Sequence, residues 1–227
     1  VRPDFATRSI EGTTCITFRA LAPGQRMQID LQEPLAMQSV SLRSPAGESD
    51  LHYTREGNVF WLDLPQEMAT GTSAVLTIRY SGIPREARNP PWDGGWIWKM
   101  DPQGNPWISA ACQGLGASVW YPCKDIQSDE PDSAAMHIIA PDSLQAVGNG
   151  RLRNVAKNAD GTSTWTWAVV NPINNYDLIP AIGKYAHIHE AYHGQNGPLD
   201  CDYWVLAANE AKAREHFKQV PLMLKCF

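Results

Sequence analysis

Trp107–Ser133 reads WISAACQGLGASVWYPCKDIQSDEPDS, and one amide side chain, Gln113, stands inside it among small residues. Ala110, Ala111, Gly114, Gly116 and Ala117 leave the backbone open to close approach by another group. Trp120-Tyr121-Pro122-Cys123 then closes the segment. The spacing puts Gln113 on display in a loop. On composition alone, a glycine cluster of this kind also fits an ordinary tight turn between strands.

Working outward, the flanks read as strands. Upstream, Asp101–Pro106 (DPQGNP) carries turn residues and folds Trp107-Ile108 back on Trp92–Trp98, a hairpin heavy in tryptophan. A Pro-rich loop, Ile83–Pro91, precedes it. From Thr13 to Tyr80 the apolar period is two: Ile16, Phe18 and Ala20 alternate with Thr17 and Arg19, and Met27, Ile29 and Leu31 with Gln28 and Asp30. Leu51–Thr54, Arg55–Asn58 and Val59–Leu64 read as a hairpin in which Gly57 supplies a positive φ. Val75–Tyr80 is a further strand, ended by Ser81-Gly82. Downstream, strands are expected over Ala134–Ala140, Gln145–Asn149, Arg151–Val155, Thr162–Val170, Tyr176–Ile182 and Tyr185–Tyr192. From Ala207 the residues turn to helix formers, and Pro221 would interrupt or restart that helix. The fold class is all-β, followed by a C-terminal helix.

Composition removes several functions. With 19 basic against 24 acidic residues the net charge is -5, and no Lys/Arg run could track a phosphate backbone, so nucleic acid is not an expected partner. No stretch reaches the roughly 18 apolar residues of a membrane span. The opening VRPDFATRSIEG lacks the apolar core of a signal peptide, yet it starts with Val, which leaves cytoplasmic and exported locations both open. Five cysteines without CxxC spacing read as mostly reduced, buried thiols, with a Cys112–Cys123 disulfide allowed by separation and decided by geometry.

His189-Glu190-Ala191-Tyr192-His193 is a literal HExxH. On a helix it would bind zinc through two His with the Glu as general base. Here it sits in a period-two segment, and Gly194 follows at once. On a strand His189 and His193 would stand about 13 Å apart at about 3.3 Å per residue, too far for one ion. No third His follows in metzincin style, and Lys212 occupies the place nineteen residues on where a gluzincin Glu would stand. Both His are therefore read as a decoy, with no metal in this chain.

Taken together, Gln113, Pro122-Cys123, Asp125, Pro131 and Asn149-Gly150-Arg151-Leu152 resemble the N-terminal domain of zinc aminopeptidases of the aminopeptidase N type, the leukotriene epoxide hydrolase branch being most similar. Leu76–Gly82, Asn175–Tyr185 and the closing Glu215–Phe227 extend the likeness over nearly the whole chain. The resemblance implies a saddle-shaped β domain over 1–205 and, over 206–227, the first helix of a following catalytic domain. It implies a non-catalytic domain, inactive alone, that packs on a catalytic domain holding the zinc. In this family a Gln at the position of Gln113 binds the α-amine of peptide substrates, and Gly114 would lie beside the P1 side chain. The family runs Pro-Cys-Phe-Asp-Glu-Pro where this chain inserts residues, so Asp125 and Asp129 compete for one position and neither takes a role. The rival reading is a stand-alone binding module for carbohydrate or protein, motivated by Trp92, Trp96, Trp98 and Trp107. Tryptophans at alternate strand positions serve equally to fill a core.

Overall fold

A computed structural model describes all 227 residues. Five antiparallel sheets carry the chain. The largest orders its strands Arg2–Asp4, Ser9–Arg19, Ser73–Gly82, Ala36–Ser44 and Gly47–Asp50. Its central strand shows why alternation decides the architecture: Ala74, Leu76, Ile78 and Tyr80 are buried while the residues between them are not. A second sheet orders Gly24–Asp30, Val59–Met68 and His52–Glu56, and it buries Ile29, Phe60, Leu62 and Leu64 in the same core. The expected hairpin forms there, with Glu56 opposite Val59 and Gly57 at φ 60°.

The third sheet, Gln145–Val147, Ala181–Gly183, Pro106–Ala111 and Gly95–Met100, carries the strand that leads into the Gln113 loop. In its hairpin, Trp107 lies opposite Lys99 and Ala111 opposite Gly95. Trp96 is fully buried and Trp98 nearly so, whereas Trp92 is 76% exposed and lies before the strand. Trp96 and Trp98 thus fill core, while Trp107 is half-buried and donates its indole N–H to Tyr185 Oη at 2.9 Å. The fourth sheet orders Ala134–Pro141, Thr162–Val169 and Arg151–Lys157, and the fifth is the ribbon Tyr185–Gly194 with Gly197–Leu206.

Two expectations are corrected. Tyr176–Ile182 is not one strand: Asn175–Asp177 is a 3-10 turn, and pairing begins only at Ala181. The Asn174 side chain accepts from the Tyr176 N–H, satisfying a donor that a strand would have paired. The thiols are also less buried than expected. All five are free; Cys112 and Cys123 are buried, Cys201 is half-buried, and Cys15 and Cys226 are exposed. The C-terminal helix is broken into Glu210–His216 and Val220–Cys226, joined by the 3-10 turn Phe217–Gln219. Pro221 falls in the first turn of the second piece, where its absent N–H costs nothing, so it restarts the helix. Phe217 packs on Tyr203 with ring centroids 4.5 Å apart, tying this region to the ribbon. No helix is long and apolar enough to cross a membrane.

The turn that ends the tryptophan hairpin is held by Asp101, which is only 7% exposed. Its carboxylate accepts from the backbone N–H of Gln103 and Asn105 and from the Asn105 side chain at 2.8–2.9 Å. Burial, the largest influence, works to raise its pKa, but the bonds from Asn105, Gln103 and Gly104 together outweigh it and hold the carboxyl below its ordinary value. A depressed folded-state pKa means that ionised Asp101 favours the fold above about pH 4, and that this contribution fades as pH falls further. Asp101→Asn is therefore expected to lower the urea midpoint at pH 7 and to converge on wild type below pH 4. A difference independent of pH would show that charge is not what the turn uses.

Candidate functional site

Gln113 and Gly114 are exposed at the tip of a tight loop, and the loop is built from its backbone outward. Cys112 O accepts from Leu115 N at 3.1 Å and from Gly116 N at 2.8 Å, closing a compact turn. Gly114 has φ 73°, with no atom within 4 Å of where a Cβ would stand. Gly116, at φ 90°, is different: a Cβ there would lie 2.2 Å from Asp125 Oδ2. Only glycine fits both that backbone and that carboxylate.

The reason for the close approach is a helix start. Asp125 Oδ1 accepts from Ala117 N at 3.1 Å and Oδ2 from Ser118 N at 3.0 Å, covering two free donors of the buried 3-10 turn Ala117–Val119. Asp129 instead lies exposed and pairs with Lys124. The structure thus separates the two acids that the sequence left ambiguous: Asp125 braces the loop, and Asp129 is a surface charge.

The loop is also clamped from two distant segments. On one side Asp30 and Cys123 exchange backbone hydrogen bonds at 2.9 and 3.1 Å, and Asp30 Oδ2 accepts from Asp125 N at 3.1 Å. Gln32 adds its side chain, donating to Leu115 O at 2.6 Å and to Ser118 Oγ at 3.1 Å. On the other side Asn175 Nδ2 donates to Lys124 O at 3.0 Å, and Tyr121 Oη donates to Asn175 O at 3.2 Å. Tyr176 Oη then reaches Gln113 itself, donating to Oε1 at 2.5 Å.

Chemically the site offers an exposed, neutral amide in a rigid setting. Its thiols are silent: burial first, then the charges of Asp125 and Asp177, push Cys112 up to about 12, and burial raises Cys123 well above its ordinary value. Neither is a nucleophile near neutral pH. What the tip can do is accept and donate hydrogen bonds through Gln113 and admit a ligand beside Gly114.

His189 and His193 lie elsewhere, on the ribbon strand Tyr185–Gly194. His193 faces Pro198 across the ribbon, while His189 Nδ1 and His187 Nε2 meet Asp202 Oδ1 at 3.0 and 2.7 Å. His187 also stacks on Trp204, with centroids 4.3 Å apart. The helical geometry that would bring His189 and His193 to one ion does not form. No local pattern in the sequence marks Gln32, Asp30 or Tyr176 as partners of the loop, because each reaches it across tens of residues, as does Asn175. Only Asn174-Asn175 carried a local signal, as turn-forming side chains.

No protein-family model matches the sequence, and no curated protein matches it. Solved structures do match in fold. A point mutant of the M1 zinc metallopeptidase from Deinococcus radiodurans superposes with TM-score 0.72 at 18% identity, covering 88% of this chain and 44% of that one. The same mutant bound to a Tyr-Ser-Ala substrate gives the same values. A mutant two-domain M1 zinc metallopeptidase bound to L-arginine gives TM-score 0.73 at 19% identity, with the same coverage.

If Asp125 and Gly116 hold the loop as described, Asp125→Ala should cost about 1–3 kcal/mol for two buried donors left unpaired, and Gly116→Ala a similar amount or more. Asp129→Ala should stay within about 0.5 kcal/mol. Chemical denaturation of the three variants checks the ranking, and equal effects at the two acids would refute it. The chain has the fold found in M1 zinc metallopeptidase structures and spans less than half the length of those it matches.

Proposed function

We propose that this chain is the non-catalytic N-terminal β domain, residues 1–205, of a zinc-dependent aminopeptidase, and that residues 206–227 begin its catalytic domain. The observation that carries the reading is the fold shared with M1 zinc metallopeptidases over 88% of this chain and only 44% of theirs. The domain packs against the catalytic domain and lends Gln113 to the α-amine of a peptide substrate, with Gly114 beside the first side chain. The zinc and its chemistry belong to the catalytic domain; His189 and His193, on a strand, do not fit one ion.

The chemistry of the tip supports this role. A substrate ammonium has three donors and no acceptor, so it needs oxygen. An amide oxygen supplies that without adding a negative charge to the site, and so avoids the desolvation cost of a further buried carboxylate. The braced backbone keeps the position fixed, which matters when a reacting bond must be held in register. The rival carbohydrate module gains little from the structure, since Trp96 and Trp98 are buried, Trp107 is half-buried with its indole N–H bonded to Tyr185 Oη, and of the four only Trp92 is exposed.

In the full-length protein, Gln113→Ala is expected to lower kcat/KM for aminoacyl anilides by about 10- to 150-fold, the loss of about 1.5–3 kcal/mol for a hydrogen bond to a charged group. Substrates with a blocked amine should not distinguish wild type from variant. Unchanged kinetics on free-amine substrates would defeat the proposal.

A further inference from the structure

We propose that Tyr176 is the positioning residue that fixes which end of the Gln113 amide faces a ligand's ammonium group, an inference that rests on the amine-binding reading of Gln113. An amide end is shape-symmetric and chemically opposite. Rotated one way it offers a carbonyl oxygen; rotated the other it offers two N–H donors, which repel an ammonium. Gln113 is exposed, and water solvates either orientation equally well. Something in the protein must choose.

Tyr176 Oη, 2.5 Å from Gln113 Oε1, makes that choice. A phenol donates well and accepts poorly, because its lone pair is drawn into the ring, so it selects the oxygen of the amide over the nitrogen. A carbonyl oxygen carries two lone pairs; Tyr176 takes one and leaves the other to the ligand. The hydroxyl can serve as a fixed reference because its own backbone is held. Tyr176 N is tied to Asn174 Oδ1 at 3.0 Å, and the adjoining Asn175 is bonded both to Lys124 O and to Tyr121 Oη. Tyr176 packs against the core through its ring, and Leu178 two residues on is buried. The turn Asn175–Asp177 and the Gln113 loop are therefore hydrogen-bonded into one unit.

The idea separates cleanly from a merely structural role, because a carboxylate has no wrong end. In the full-length protein, Tyr176→Phe should lower kcat/KM on aminoacyl anilides by about 5- to 30-fold, mainly through KM, as expected for one lost orienting hydrogen bond. In a Gln113→Glu background the same Tyr176→Phe change should alter kcat/KM less than about 2-fold, so the cycle shows strong coupling. Equal losses in both backgrounds would mean that Tyr176 only supports the fold, and no loss in the Gln113 background would mean that it does not orient the amide; either overturns the proposal. If Gln113→Ala is itself silent, the amine-binding reading fails first, and that outcome is told apart by this single variant.

Discussion

Much of this molecule depends on one tie between distant segments: Asp30 and Cys123 exchange backbone hydrogen bonds, and the Asp30 carboxylate accepts from the N–H of Asp125 two residues on. Each such bond contributes only about 1 kcal/mol net. Its structural effect is larger than its energy, because Asp30 ends a strand of the second sheet while Cys123 closes the loop grown from the third. The tie places Asp125 where its carboxylate can cap Ala117 and Ser118, and the cap in turn requires glycine at 116. Removing any member would leave buried backbone donors without partners, the costly side of hydrogen bonding.

That tie explains which parts of the fold were legible in sequence. Alternation is local information: Leu76, Ile78 and Tyr80 announce a half-buried strand within a few residues, and the ribbon character of Tyr185–Gly194 is readable against the HExxH pattern because the period there is two and Gly194 follows at once. Gly57 likewise marked its turn. By contrast, the partners of the Gln113 loop come from Asp30, Gln32, Asn175 and Tyr176, and no spacing rule links residues 63 or 95 positions apart. Gln113 could be nominated from its neighbours; what holds it could not.

The turn at Tyr176, where residue types over Tyr176–Ile182 point to a strand, follows the same logic. Tyr176, Leu178 and Ile182 suit a strand by type, and Leu178 and Ile182 are indeed buried. Asn174 competed locally for the Tyr176 N–H and won, converting the first residues to a turn. A strand there would have carried the phenol along the sheet. The turn instead aims it at Gln113, so the place where propensity failed is also a place where the candidate site gains a contact.

A single displayed amide sets its own limit. Association of a small ligand costs at least several kcal/mol in lost translational and rotational freedom, on the order of 4–15. One hydrogen bond to a charged group returns about 1.5–3. Gln113 on its own therefore cannot retain a ligand, however well Tyr176 and Asp125 hold it in place. The rigidity of the loop is useful only where other groups supply most of the binding and Gln113 adds orientation, because a preformed acceptor then gives its full hydrogen bond without any further ordering cost. A braced, solitary acceptor is thus suited to the proposed role, in which groups other than Gln113 supply most of the binding.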